Sequence, residues 1–528
     1  MTTTAPPQPE ARSTGQGPRR SDAALAALAG VLAAALTLGV AQVVAAVVAP
    51  RSAPVIAVGD TFIDLTPAWL KDFAIETFGT NDKVALLVGI GLVLAVVAAV
   101  AGVLGRVRRP FGDAVVIVLG GVGAVAAAVR PDAATLAVLP SLVGAAAGLA
   151  ALHLLLDRLP PRHGRADEGA SRRGFLTAAG LTGAVAALGF VGGRALGAAS
   201  RGVSAAREAL SVPPPATSAP PVPEGVDVAV DGVVPWQTPN PDFYRIDTAL
   251  TVPQVDPATW TLRIHGMVEE EVVVDLAELT SGELLETWIT LTCVSNQVGG
   301  DLASNARWVG LPIRDLLARA RPTADADMVL STSVDGWTAS TPIEALTDDD
   351  VDAILAVQMN GEPLPTEHGF PVRMVVPGLY GFVSATKWVV DLEVTRYDQR
   401  TAYWTDRGWA ERAPIKTASR VEVPSPLSRQ PVGPAVAAGT AWAQGRGVER
   451  VEVRVDDGEW QEAELAAVYN DQTWVQWRFD YDLAEGSHSL TVRATDTTGA
   501  TQPQERVDPI PDGATGWHSI TVTGVTQA

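Results

Sequence analysis

Hydrophobic positions along this chain follow three different patterns. Up to about residue 200 they form long unbroken runs. Five segments, residues 23–50, 84–105, 114–129, 133–156 and 174–193, contain no Asp, Glu, Lys or Arg. A helix needs about 20 apolar residues to cross the hydrocarbon of a bilayer, so these runs predict an α-helical transmembrane bundle of about five spans over residues 23–200. The third run has only 16 residues and is the shortest. From about 240 the pattern becomes mixed. Residues 260–268 alternate and stop at Gly266, Ile313–Ala320 has helical spacing, and residues 328–333 and 388–394 are β-branched and apolar, as strands are. The prediction is an α+β domain over 239–412. Beyond about 413 helical periodicity vanishes: residues 451–455, 474–479 and 489–494 alternate, and Asp456-Asp457-Gly458 supplies a tight turn. That spacing predicts an immunoglobulin-like β-sandwich over 413–528. Between the first two blocks, residues 201–238 contain a proline-rich stretch at 212–223 and predict an extended, semi-rigid linker. Residues 1–22, rich in Pro, Gln and Thr, predict a disordered tail.

Charge adds orientation. Residues 1–210 hold 18 basic and 13 acidic side chains, net +5, and the remainder holds 21 and 46, net −25. A negative potential of that size excludes nucleic acid as a natural partner. With the N-terminus inside, the inner loops carry Arg12, Arg19, Arg20, Arg106, Arg108, Arg109, Arg158, Arg162, Arg165, Arg172 and Arg173, against Arg51, Lys71, Lys83 and Arg130 outside. This excess sets the topology and places everything after residue 200 on the extracytoplasmic face of a plasma membrane. Ser171-Arg172-Arg173-Gly174-Phe175-Leu176, entering the last apolar run, resembles a twin-arginine export signal. Only His153 lies in a span and no acidic residue does, which predicts a lipid anchor and not an ion path.

The chain has one cysteine, Cys293. That excludes an intramolecular disulfide, a four-thiolate zinc site and a chain-borne iron–sulfur cluster. Cys293 ends a short β-branched stretch and opens a polar, glycine-bearing loop, where a strand end presents a side chain to a pocket. Its residue type allows three roles: a small buried hydrophobe, a nucleophile partnered by His265 or His368, or a single soft ligand to a metal held chiefly by another molecule.

The surrounding residues carry a resemblance. Thr290-Leu291-Thr292-Cys293-Val294-Ser295-Asn296-Gln297-Val298-Gly299-Gly300-Asp301-Leu302, with Asn305-Ala306-Arg307-Trp308, resembles the molybdenum-binding segment of the sulfite oxidase family of molybdopterin enzymes. His368-Gly369-Phe370-Pro371-Val372-Arg373, followed by Lys387-Trp388, resembles a second segment of the same family. Residues 413–528 are similar to its immunoglobulin-like dimerisation domain. The resemblance implies a molybdenum–molybdopterin cofactor with Cys293 as the protein's metal ligand, and no haem in these domains. It implies a cofactor environment of Tyr244, Asp247, Ser295, Asn296, Arg307, His368, Arg373, Ser384, Thr386 and Lys387. The implied activity is two-electron oxygen-atom transfer on a small sulfur-type oxygen donor or acceptor, with electrons exchanged with a separate carrier, in a homodimer. A methionine-sulfoxide-type reductase is the alternative enzyme, and a non-catalytic, membrane-tethered interaction protein the alternative of another class. Three departures bear on substrate: Gln297 stands where animal and plant members have arginine, Asp247 stands in the stretch that carries their anion-binding arginine, and Asp406-Arg407-Gly408-Trp409 replaces the segment with their active-site tyrosine. Arg245 and Arg407 are the cations left to meet a substrate anion.

Overall fold

The computed structural model describes residues 20–48, 52–67, 70, 77, 82–130, 133, 135–159, 168–196 and 198–526. The tail at 1–19 and the topology markers Arg51, Lys71, Arg162 and Arg165 lie outside them. The chain divides into two compact units, Met1–Ala198 and Ala199–Ala528.

In the first unit, helices Arg20–Val48, Asp82–Val107, Arg109–Ala128, Leu139–Asp157 and Glu168–Leu196 each contain a stretch long and apolar enough to cross a membrane. Arg172 and Arg173 lie within the last of these. A shorter helix, Pro54–Leu65, was not foreseen. The third apolar run becomes a full-length helix because it begins at Arg109, with Pro110 in its first turn, where a missing N–H costs nothing. That start corrects the expectation that no acidic residue lies in these helices. Asp113 is inside, and its Oδ1 meets His153 Nε2 of helix Leu139–Asp157 at 2.7 Å, one turn from an Arg109–Asp157 pair. An apolar run stops at the first charge, whereas a helix continues through a charge that finds a partner. Small residues let the helices touch. A Cβ on Gly30 would lie 1.9 Å from the Ala98 carbonyl oxygen, and one on Gly102 would lie 2.0 Å from that of Ala26.

The second unit has an α+β part and a β-sandwich. The strands of the first are β1 (Thr261–Gly266), β2 (Val272–Asp275), β3 (Leu285–Thr292), β4 (Ala303–Pro312), β5 (Met328–Ser333), β6 (Thr338–Pro342), β7 (Ile354–Met359), β8 (Glu362–Pro363), β9 (Arg373–Val375) and β10 (Val389–Thr395). They build one sheet of order β2-β1-β10-β5-β6 and another of order β3-β4-β7-β8, with β9 on β7. Alternation in β1 sends Leu262 and Ile264 into a core shared with Leu316 and Leu317 of helix Ile313–Ala320. Ile289, Leu291, Trp308, Met359 and Phe370 fill a second core under β3, β4 and β7.

The sandwich strands are β11 (Ala418–Val423), β12 (Arg429–Pro431), β13 (Gly433–Trp442), β14 (Val448–Val455), β15 (Gln461–Glu462), β16 (Glu464–Leu465), β17 (Val475–Leu483), β18 (Gly486–Asp496) and β19 (His518–Val525). They form sheets β11-β13-β17-β16 and β12-β19-β18-β14-β15 over a core that includes Ala437, Val451, Val453, Trp477, Leu490 and Val522. The turn read at Asp456-Asp457-Gly458 is present: Gly458 N donates to Val455 O at 3.1 Å and Asp456 has φ 52°.

The proline-rich stretch is extended, as expected, but does more than link. It lies along the edge of β3: Ala216 N donates to Leu284 O (2.8 Å) and Glu286 N to Thr217 O (2.8 Å). Further on, Trp236 is buried among Trp288, Trp442 and Trp474, with its Nε1 donating to Trp474 O at 3.3 Å. Proline has no N–H to leave unpaired, which suits it to covering a sheet edge. Residues 216–238 are thus part of the folded unit.

Candidate active site

β3 delivers Cys293 to the end of its sheet, where the ladder with β4 stops at Thr292 opposite Ala303. The loop that follows is closed at its neck and braced inside. Cys293 N donates to Leu302 O (2.9 Å), and the buried Asn296 side chain accepts from Leu302 N through Oδ1 (3.0 Å). Sγ of Cys293 lies 3.0 Å from Ser295 Oγ. Burial pushes the Cys293 thiol up, against the opposing effect of the Ser295 hydrogen bond. Tyr244 belongs to the same wall. Its phenol is held above its ordinary range by burial first and by the neighbouring Cys293 second.

Tyr244 also feels the first member of a cluster of cations, Arg373. Arg373, on β9, is buried with its guanidinium over the Trp308 ring at 5.2 Å. Its hydrogen bonds go to main-chain carbonyls only, those of Met374, His368 and Ala385, at 3.2–3.4 Å. Lys387 Nζ reaches Asp247 Oδ2 (2.8 Å), which also receives Arg245 Nε (3.0 Å). Asp247 is therefore a bridge between two cations and not a bare charge facing substrate. His368 is buried, edge-on to Phe243 at 5.4 Å, and its Nε2 faces Asn240 O at 3.2 Å. Only an N–H can donate to a carbonyl, so Nδ1 presents its lone pair. Burial, reinforced by Arg373 and Lys387, pushes His368 down to about 3, so it stays neutral. Burial likewise pulls Arg373 down to about 10 and Lys387 to about 8.

Other expected residues are placed elsewhere. Arg307 lies opposite Trp288 in the ladder, five residues before Cys293, which is about 16 Å at the usual rise of a strand, and it pairs with Glu286 at 3.3 Å. The hydroxyls of Ser384 and Thr386 are fully buried. Ser384 Oγ donates to Leu379 O and Tyr380 O, and Thr386 Oγ1 lies 2.6 Å from Ser331 Oγ. They shape the turn that presents Lys387. Arg407 lies flat on Tyr403 (3.6 Å), on the loop whose Trp409 packs against Phe382. His265 pairs with Asp391 at 3.0 Å on the other sheet. Three residues escaped the sequence reading. Tyr380, raised to about 12 by burial, is also near enough to feel Cys293. Arg420 and His518 reach the Cys293 loop from the sandwich. Only their three-dimensional placement reveals the last two, since they lie more than a hundred residues downstream. Beside the loop a small pocket is lined by Gln297, Gly299, Tyr380, Trp442 and Gln502 among others, and no charged side chain lines it.

The donor set fits an anionic, metal-carrying cofactor. A buried guanidinium hydrogen-bonded only to neutral carbonyls is costly unless an anion joins it. Lys387 and Arg245 share one carboxylate, Asp247, and Arg373 has no carboxylate among its hydrogen-bond partners. Among the described residues no group of three or more His, Cys, Asp or Glu side chains could hold a metal by itself. One buried thiol and a buried cation cluster, joined through Tyr244, suit a phosphate-bearing organic cofactor that brings its own metal, the class of the molybdopterin-binding proteins.

The comparisons agree with that class. Residues 249–404 match the family described as oxidoreductase molybdopterin binding domain, and residues 418–524 that of the Mo-co oxidoreductase dimerisation domain. Mitochondrial sulfite oxidase of Rattus norvegicus is 31% identical over 270 residues, 43% of this chain and 49% of that one. The Homo sapiens protein is 30% identical over 321 residues, 52% of this chain and 58% of that one. The chain spans about half the length of these curated relatives. Nitrate reductase of Hordeum vulgare is 26% identical over 51% of this chain and 37% of that one. Among solved structures, the sulfane dehydrogenase SoxCD from Paracoccus pantotrophus aligns over 52% of this chain and 76% of that one, at 25% identity and a TM-score of 0.46. Residues 249–404 thus belong to the oxidoreductase molybdopterin binding domain family and residues 418–524 to the Mo-co oxidoreductase dimerisation domain family, and the chain is similar to sulfite oxidases over about half of its length.

Proposed function

We propose that this protein is a membrane-anchored, extracytoplasmic oxidoreductase. Its molybdenum cofactor, held between Cys293 and the Arg373–Lys387–His368 wall, serves two-electron oxygen-atom transfer on a small sulfur-type substrate. The observation that carries this reading is a buried thiol and a buried guanidinium, Cys293 and Arg373, both near enough to influence Tyr244, within a domain matched to molybdopterin binding. When bound, the cofactor supplies the redox couple and the metal that accepts or donates the oxygen atom. The chain supplies the rest. Cys293 completes the sulfur ligands, and Arg373 and Lys387 neutralise the cofactor's phosphate. His368 offers Nδ1 as an acceptor, Tyr244 keeps its proton beside the metal ligand, and Arg245, next to Lys387 on Asp247, is the cation at hand for a substrate anion.

The five long apolar helices, the excess of basic residues in the inner loops and the Arg172-Arg173 pair support an anchor exported as a folded, cofactor-loaded protein. Lipid surrounds the first unit, a separate electron carrier serves the second, and residues 413–528, with an immunoglobulin-like arrangement, join two copies. A second reading has one observation of its own. The cavity beside the Cys293 loop is lined by neutral side chains, Gln297 among them, which suits an uncharged sulfoxide better than the sulfite dianion. The experiment is a substrate screen on the purified protein with an artificial electron carrier. Sulfite oxidation supports the first reading and sulfoxide reduction the second. A molybdenum-loaded protein inert toward both classes would contradict the assignment to sulfur-type substrates.

A further inference from the structure

We infer that the C-terminal sandwich is part of the cofactor site itself, with Arg420 and His518 as positioning residues that fix the loop carrying Cys293. The inference rests on the proposed role of Cys293 and goes beyond a dimerisation module.

Within its own part of the fold the loop from Cys293 to Leu302 is closed at its neck, braced by Asn296 and anchored by the buried Val294. Its tip, Gly299-Gly300, is held from the sandwich. Arg420, on β11, donates from Nη1 to Gly300 O at 2.8 Å. The guanidinium itself cannot drift, because its Nε binds Glu422 Oε1 at 2.6 Å with both side chains nearly inaccessible. Glu422 in turn accepts from Thr440 Oγ1 (2.9 Å) and Val234 N (2.8 Å). Arg420 thus has its charge balanced on its own strand and spends a further donor on the loop. His518, at the start of β19, accepts from Val421 N through Nδ1 at 2.9 Å, which puts its proton on Nε2. The ring covers Gly299 so closely that a Cβ there would lie 2.3 Å from Cδ2 and Nε2. Gly299 has φ +81°, so glycine is needed on both counts.

Tip and sulfur are mechanically linked. A Cβ on Gly300 would lie 2.5 Å from Asn296 Oδ1, the atom that accepts from Leu302 N, and Leu302 O accepts from Cys293 N. The sandwich also grips the strand before the sulfur. Thr290 N donates to Gln472 O (3.0 Å) and Gln444 Nε2 to Thr292 Oγ1 (3.0 Å). It reaches the second cofactor-facing segment as well. Lys416 N lies 3.4 Å from Tyr380 Oη, and a Cβ on Gly513 would lie 2.5 Å from that oxygen. Cys293 therefore projects from a loop fixed at both ends, one end by each part of the unit. A thiolate ligand needs its position held to a fraction of an ångström. His518 looks isolated in the sequence and is not.

The test uses the full chain and its single cysteine, so that iodoacetamide labelling reports on Cys293 alone. In cofactor-free protein from a host unable to make molybdopterin, Arg420→Lys keeps the pair with Glu422 but shortens the fork. His518→Asn keeps an acceptor for Val421 N while uncovering Gly299. Both should raise the alkylation rate by about tenfold or more through local opening of the loop, with the melting transition retained. In loaded protein both should shift the Mo(V) paramagnetic resonance spectrum and lower kcat with KM little changed. Parental alkylation rates and an unshifted spectrum in the variants would overturn the inference. Should Arg420→Lys fail to fold, His518→Asn decides on its own. A parent protein that binds no molybdenum would overturn the role of Cys293 as ligand, and the alkylation rates would still decide whether the sandwich holds the loop.

Discussion

Arg373 and Lys387 concentrate the cost and the purpose of the site. Arg373 sits in the core with three carbonyl acceptors and no carboxylate among them, so its charge is stabilised only when an anion arrives. Arg373→Ala should weaken cofactor retention by about 1.5–3 kcal/mol, the usual worth of a hydrogen bond to a charged group, and should be checked by pterin content after dialysis. Full retention would argue against a phosphate contact. Lys387 predicts a pH dependence. Burial holds it at about 8, well below the ordinary lysine value, despite Asp247. Because the folded value is depressed, the unfolded chain binds more protons between about pH 8 and 10.5, and the cofactor-free fold gains stability as pH rises through that window. Cofactor binding runs the other way. A bound phosphate favours the ammonium, so above about pH 8 binding must take up a proton. Retention should then fall by up to about tenfold per pH unit, and Lys387→Arg should abolish the decline. Retention that is flat from pH 7 to 10 would remove Lys387 from the anion's surroundings.

At the scale of elements, β3 is an edge strand, and what covers it is as informative as what it carries. The proline-rich stretch pairs with Leu284 and Glu286, and Trp236 seals the junction with Trp288 and Trp474. A chain truncated before residue 239 should therefore aggregate or fail to fold, whereas one beginning near residue 199 should stay folded, as read by a cooperative melting transition. Equal stability of the two would return the stretch to the status of a spacer. Why the sequence misled here is physical. Proline-rich composition reports extended backbone without saying whether that backbone lies in solvent or along a sheet edge. Where periodicity is strong the elements were legible. Helix Ile313–Ala320 and strand β5 (Met328–Ser333) fall where the pattern puts them, and the Cys293 and His368–Lys387 segments do meet in space. Arg307 stands opposite Trp288, paired with Glu286, a placement that its motif alone does not give. Asp113 was missed because counting apolar runs stops at a charge, even when His153 on the next helix accepts it.

At the scale of the whole molecule, two claims are open to direct measurement. The module at 413–528 places Trp460 and Trp517 4.9 Å apart, with Arg493 4.2 Å from the Trp460 ring, a composition suited to burial between copies. The second unit, expressed from near residue 199, should have the mass of two chains, and a concentration-independent mass of one chain would reject the dimer. The central claim is that Cys293 binds the molybdenum of a pterin cofactor. The most direct measurement is molybdenum and pterin content in the full chain and in Cys293→Ser, both purified from a host that makes the cofactor. The parent should carry about one molybdenum per chain, and the variant should keep most of its pterin yet lose turnover, since a hydroxyl fills the thiol's space but is a far poorer ligand. A metal-free parent, or a Cys293→Ser protein with full activity, would contradict it.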